Sequence, residues 1–421
     1  MPSCFRPPFA FAAVLLLPAL LPAAIVGTNV PALPLTAERI LALPSAEQPA
    51  WHHYLAQSRA KAARDQATLA AEMTAAGLTA PLVPAKGRGV SLNQPAAFWS
   101  GPDAAHIADI VVSFQTPAGG WNKNTHLTTA PRRPGERSGH EAGYVGTIDN
   151  DATITQLRFL AKTIAAAGPA AAPTPARPDT WRSSFTRGVD YLLAAQYPNG
   201  GWPQVFPLEG GYHDAITFND GAMINVLALL HDLAAARAEF AFVPAELRTR
   251  AAASAARGLA CILASQITVN GRRTAWGQQV DVLSLAPVGA RNYEMPAQSA
   301  GESAGIVLFL MALPDPSPAT VAAVHAAAAW LQKTPLRDVV FKPAPDGSGR
   351  TLLPAPGAGP LWPRYAEIGS DRPLFGDRDL TIHDDVNAIS AERRNGYAWF
   401  GDAPKRALAH YAKWAKAHPA R

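Results

Sequence analysis

From residue 51 the chain reads WHHYLAQSRAKAARDQATLAAEM, where apolar residues recur at helical spacing, and a helix is expected over residues 51–73. Apolar positions return at three and four in Trp181, Phe185, Val189 and Leu192, and again in Val321, Val324, Ala328 and Leu331. Each set predicts a helix with one buried stripe. Strict alternation is scarce, so the pattern as a whole predicts a mostly α protein. Pro/Gly/Ala-rich stretches near 168–179 and 342–360 read as surface loops. Residues 27–50 are Pro-rich and read as a linker leading into one helical domain over 51–421.

A weak repeat lies over this helical pattern. FQTPAGGWNKN (114–124) and AQYPNGGWPQVF (195–206) share a Gln, a turn, Gly-Gly-Trp and a polar tail, and SQITVNGRRTAWGQQVD (265–281) is a degenerate third copy. Trp121, Trp202 and Trp276 are 81 and 74 residues apart, about the length of two helices with their loops. Helix, Gly-rich turn and buried Trp in succession is what an (α/α) toroid of helical hairpins needs. The three tryptophans are expected in the core rather than stacked on sugar. Their turns would share one end of the molecule, and the polar residues after each turn would line a common groove.

Composition narrows the setting. An apolar content of 48% with 16% charged residues excludes a disordered chain. The start, MPSCFRPPFAFAAVLLLPALLPAAIVG, carries one charge, Arg6, ahead of an apolar run broken by Pro18 and Pro22. It reads as a signal peptide over 1–26, too short and broken for a membrane span, and predicts a secreted or periplasmic protein. The net charge of +5 becomes +4 once Arg6 leaves. No basic run with interleaved aromatics points to nucleic acid. Cys4 belongs to the signal, so Cys261 in GLACILASQ has no partner for a disulfide and reads as a small buried hydrophobe. A monomer is expected.

The polar residues left over collect behind the Gly-rich turns. They are Lys123 and Asn124, Asp149 and Asn150 in TIDNDATITQLRFLA, and Asn219 and Asp220 in YHDAITFNDGAM. Arg291, Arg364, Glu367, Arg372, Asp377, Arg378 and Asp379 follow later in Gly/Pro-rich segments. Taken singly each has an ordinary use: Asp149, Asp151 and Asp220 as helix caps, Arg364 paired with Glu367. Together, separated aspartates suit a hard cation such as Ca²⁺ and the arginines suit carboxylates, so the set is built for a polyanion. No Ser-His-Asp order, cysteine nucleophile or phosphate-cradling loop competes.

In order and spacing, GGWNKN, TIDNDATITQLRFLA, QYPNGGWPQVFP, ITFNDGAM, WGQQVDVLSLAPVGARNYE, GESAGIVLFLM, RYAEIGSDRPLFGDRD and ERRNGYAW resemble the family 10 polysaccharide lyases, which are pectate lyases. The resemblance spans roughly residues 90–415. It implies an (α/α) toroid and Ca²⁺-dependent β-elimination of polygalacturonate. It further implies Asp149 and Asp220 as calcium ligands, Asn150 beside the sugar, Arg291 as the base, and Arg364 and Arg378 on substrate carboxylates. Lys123 is a further substrate-groove candidate. Asn122 stands where the family usually has Pro and Val280 where a His is common, differences that bear on substrate preference. A guanidinium with a pKa above ~12 acts as a base only if crowding depresses that value, and neighbouring Arg364, Arg378 and Ca²⁺ are expected to do so. Two other readings fit the same residues: an (α/α) glycoside hydrolase using Asp149 and Asp220 as its acid and base, and a non-catalytic pectin-binding envelope protein.

Overall fold

A computed structural model describes residues 25–143, 145–167 and 177–420. Positions 1–24 of the expected signal peptide and 168–176 of the expected 168–179 loop lie outside the described residues. The helices are α1 (Ala37–Ile40), α2 (Gln48–Ala75), α3 (Pro102–Ser113), α4 (Ile154–Ala167), α5 (Arg177–Ala195), α6 (Ala222–Ala234), α7 (Ala245–Ala264), α8 (Ala300–Met311), α9 (Pro318–Lys333), α10 (Ala391–Gly396) and α11 (Ala403–Ala417). The expected 51–73 helix is contained in α2. The stripe Trp181, Phe185, Val189 and Leu192 is the buried face of α5, and Val324, Ala328 and Leu331 are fully buried on α9. Ser317 caps α9 by accepting from the Thr320 N–H, with Pro318 in the first turn.

Helices α4 and α5, α6 and α7, and α8 and α9 form three successive hairpins. Their first helices touch in the order α4, α6, α8, and their second helices in the order α5, α7, α9. The Gln and Trp of the repeat are the fastener. Trp121, Trp202 and Trp276 are all wholly buried, and their indole N–H groups donate to Val111 O, Leu192 O and Ile262 O at 2.7, 2.8 and 2.7 Å. Gln115 donates to Gly119 O and Ser184 O, Gln196 to Gly200 O and Ser254 O, and Gln266 to Thr274 O and Ala323 O. Each Gln thus closes its own turn and ties it to the following outer helix. A fourth Trp, Trp362, repeats the bond by donating to Leu331 O at 2.8 Å.

Two glycines make room for these rings. A Cβ on Gly258 would stand 2.6 Å from Leu227 and 2.7 Å from Trp202, and one on Gly188 would meet Leu157 and Trp121 in the same way. Gly258→Val is expected to cost about 1–3 kcal/mol by overpacking. The measurement is a lower denaturant midpoint at unchanged slope.

Three segments depart from the reading of the sequence. Residues 27–50 are not a free linker: Ile25–Thr28 is a strand paired with Thr381–His383, α1 follows, and Leu35 and Ile40 are buried. Its prolines fit because Pro31, Pro34 and Pro44 lie in irregular chain and Pro49 in the first turn of α2. The 342–360 loop is a hairpin of Val339–Pro343 against Arg350–Pro354. An antiparallel five-stranded sheet, ordered Ile25–Thr28, Thr381–His383, Pro373–Gly376, Tyr365–Ala366 and Gln298–Ser299, covers a second apolar cluster containing Tyr293, Phe375 and Trp399. Among the described residues no helix is long and apolar enough to cross a membrane.

Candidate active site

The turns that enter the inner helices share one local structure. Trp121 O accepts from Thr147 N and Trp202 O from Thr217 N, which fixes each Thr beside its Trp. The hydroxyls of Thr147 and Thr217 then accept from Asp149 N and Asn219 N, at 3.0 and 3.3 Å. The next residues, Asn150 and Asp220, have φ of 50° and 51°, the left-handed region that Asn and Asp tolerate. The short helical turns Asp149–Asp151 and Asn219–Gly221 have no side-chain cap. Asp149 instead accepts from Lys123 Nζ at 2.5 Å, and Asp151 accepts from Asn225 at 2.5 Å.

A polar cleft of about 130 Å³ lies between these two turns and the segment 290–294. Lys123, Asp149, Asn150, Asp220 and Arg291, separated widely in the chain, all line it. So do Gln204, Tyr212, Gln278, Gln279 and Glu294, none of which the sequence singled out. Arg364 lies alongside, where it donates to Asn219 Oδ1 at 2.8 Å and Glu302 Oε1 at 2.9 Å. Its partner is Glu302, whereas Glu367 pairs with Arg372. Arg378 is not in the cleft: its exposed guanidinium bonds both oxygens of Glu392 at 3.0 Å. It shares the Tyr293 ring with Arg291, at 5.7 and 5.0 Å from the ring centre.

Charge in the cleft is arranged as three pairs and a remainder. Lys123 neutralises Asp149, Arg291 neutralises Glu294 and Arg364 neutralises Glu302. Asp220 accepts only from the amide of Asn219, at 3.0 Å, and among the described residues has no ion pair. Its pKa is raised by burial, offset by the charge of Arg364 and raised further by Glu302 and Asp149. A cation entering between Asp149 and Asp220 would therefore lower the energy of the site. Among the described residues no cluster of three or more His, Cys, Asp or Glu could hold a metal ion. Two carboxylates with neighbouring amides fit a hard ion that completes its shell with water and substrate oxygens, provided Lys123 yields an Asp149 oxygen.

Arg291 is held differently from the expectation that cations crowd it. Burial alone would lower its pKa, but Glu294 outweighs that: Nε donates to Oε2 at 2.8 Å, Nη2 to Oε1 at 2.5 Å, and the value rises. Glu294 in turn is buried, which would raise its own pKa, yet Arg291 and the Tyr397 hydroxyl hold it low. The other two arginines are drawn away by Glu302 and Glu392, so they do not supply the expected depression. No bond of Nη1 is present among the described residues, and that nitrogen is left for a ligand.

Asn29, from the segment read as a linker, sets the backbone of this turn. Its Nδ2 donates to Arg291 O, Asn292 O and Glu294 O at 3.0, 2.9 and 3.0 Å. Asn29→Ala would leave those carbonyls without that donor at a cost of about 1–3 kcal/mol. If Arg291 takes part in the chemistry, turnover is expected to fall roughly tenfold to a hundredfold through its displacement, with the folded protein retained. Thermal unfolding and kcat measured on the same preparation check both parts.

Helical hairpins carrying an acid-and-arginine cleft at their turns are, in this chain, the scaffold of a polysaccharide lyase. The chain belongs to the pectic acid lyases, whose family model matches residues 115–408. It is similar to the solved Family 10 polysaccharide lyase from Cellvibrio cellulosa, at 32% identity over 78% of this chain and 99% of that one, with a TM-score of 0.65. An aspartate-to-alanine mutant of a Family 10 polysaccharide lyase from the same organism, in complex with trigalacturonic acid, is 33% identical over 76% and 97% of the two chains, with a TM-score of 0.64. Among curated proteins the comparison finds no match.

Proposed function

We propose that the protein is a calcium-dependent pectate lyase that cuts de-esterified polygalacturonate by anti β-elimination. It acts as a monomeric (α/α) toroid, secreted or periplasmic after loss of residues 1–26, which removes Ile25 and Val26 and leaves Gly27 and Thr28 to pair with Ile382 and Thr381. The observation that carries this reading is the meeting of Asp149, Asp220 and Arg291 in one polar cleft where Asp220 has no ion pair among the described residues.

In the reaction the C5–H bond of a galacturonate breaks and its electron pair forms the C4–C5 double bond. The C4–O bond breaks as that double bond forms, the departing oxygen takes a proton from water, and the hydroxide left is neutralised by the proton removed from C5. Bound Ca²⁺ supplies positive charge against the uronate carboxylate, which makes the C5 proton more acidic. Asp149 and Asp220 hold that ion, and Asn150 borders the sugar. Arg364 offers a carboxylate its guanidinium, while Lys123 is released as Asp149 changes partner. Arg378 reaches a carboxylate at the rim by giving up Glu392.

Arg291 takes the C5 proton through Nη1. Glu294 fixes the plane of its guanidinium and at the same time favours the cation, so the neutral form is scarce and alkaline solution favours turnover. The neighbour that holds trigalacturonic acid supports a galacturonate substrate.

The test is ultraviolet absorbance of the unsaturated product from polygalacturonate at alkaline pH. Steady growth is the expected result. New reducing ends without absorbance would make Asp149 and Asp220 the pair of a hydrolase, and retained polymer with neither signal would make the protein a pectin binder.

A further inference from the structure

Asn150 also lines an adjoining arm of about 320 Å³ whose lining does not include Arg291. Arg88 and Gly89 form one wall, in a segment bridged to the turn after Trp121 through Lys86 with Thr125 and Gly89 with His126. Asn124, Thr155 and Gln156 face them. Arg88 is exposed and, among the described residues, makes no ion pair. Gln156 is only 3% exposed, yet its Oε1 has no hydrogen-bond partner among the described residues. A buried acceptor left open in this way costs stability unless a ligand supplies the donor. Asp151 is the one acid lining the arm among the described residues, and its Oδ1 accepts from Asn225 Nδ2.

We infer that this arm is a subsite for a further uronate of the polymer, with Arg88 holding its carboxylate and Gln156 accepting from a sugar hydroxyl. The chemistry required is an anion and a hydroxyl on one ring, a short distance from the scissile bond. A hexuronate supplies both, and a neutral hexose supplies only the second. Arg88 precedes the segment matched by the family model, whereas Asn124, Thr155 and Gln156 lie within it. The identity of the sugar rests on the pectate lyase reading above.

The experiment compares tri- and hexagalacturonate with wild type, Arg88→Ala and Arg88→Glu. Initial rates give kcat and KM, and calorimetric titration in an Arg291→Ala background gives binding without turnover. Arg88 is exposed, so both variants are expected to fold. A charge-assisted bond of this kind predicts about a tenfold loss of the hexamer-over-trimer preference for Arg88→Ala, carried by KM, a larger loss for Arg88→Glu, and a smaller loss in high salt. Equal preference in all three proteins would overturn the subsite. Wild type that forms no unsaturated product but keeps the Arg88-dependent length preference would sink the lyase reading and leave the subsite standing. Binding of neither oligomer would remove both.

Discussion

Arg291→Ala is expected to stop release of unsaturated product, lowering kcat on the order of a thousandfold or more while the protein stays folded. Loss of a general base contributes roughly 10²–10⁴ and loss of a positive group facing developing charge a further large factor. The turn keeps its backbone support from Asn29, whereas the guanidinium's contacts with Glu294 and the Tyr293 and Tyr397 rings are lost, so a lower unfolding temperature is expected with the fold retained. Arg291→Lys separates the two contributions. Lysine keeps a positive charge but cannot make the two-pronged bond to Glu294, and its ordinary pKa of about 10.4 is lower than that of arginine. If Arg291 takes the proton, the lysine enzyme is weak and reaches its limiting rate at lower pH. An unshifted pH profile with unchanged kcat would confine Arg291 to binding the substrate carboxylate. The Glu294 bond gives the same prediction a second handle, because Glu294→Gln withdraws the negative charge that raises the Arg291 pKa.

Removal of divalent metal carries the other large effect. A calcium chelator is expected to abolish turnover, and added Ca²⁺ to restore it. Asp220→Asn should raise the Ca²⁺ concentration needed for half-activity by at least about tenfold, since it deletes a cleft carboxylate that has no ion pair among the described residues. Binding is also visible without substrate. Ca²⁺ that prefers the native state raises the unfolding temperature of wild type with concentration, and that rise should shrink in Asp220→Asn. Full activity in chelator would remove the metal role from Asp149 and Asp220.

Some of this site could be read before any coordinates, and some could not. The Gln and Gly-Gly-Trp repeat was legible because one packing solution recurs: a Gln that bonds two carbonyls and an indole that reaches back a turn of chain. Repetition also placed Asp149 and Asp220 near each other, as they follow equivalent Thr residues at the starts of neighbouring hairpins. The sheet was illegible because its strands run from two to four residues, too short for alternation to show. Asn29 was hidden by the prolines around it, and its role depends on carbonyls far along the chain. Glu294 and Glu302 were present in quoted motifs, but nothing in their spacing reveals which arginine each would neutralise. Arg378 shows the reverse difficulty, since Glu392, its partner, lies in a helix that sequence alone does not place nearby.

The strand Ile25–Thr28 and its neighbour Asn29 have a consequence for when the molecule becomes competent. Asn29 meets Arg291 across 262 residues, and its own strand is anchored by Thr381–His383 near the other end. Helical hairpins are local and close early, whereas contacts between remote segments wait for the chain that joins them. A growing polypeptide can therefore display its ribs long before it owns a finished reactive centre. The earliest-made segment stays idle until one of the latest-made arrives, so an incomplete molecule is chemically silent by construction.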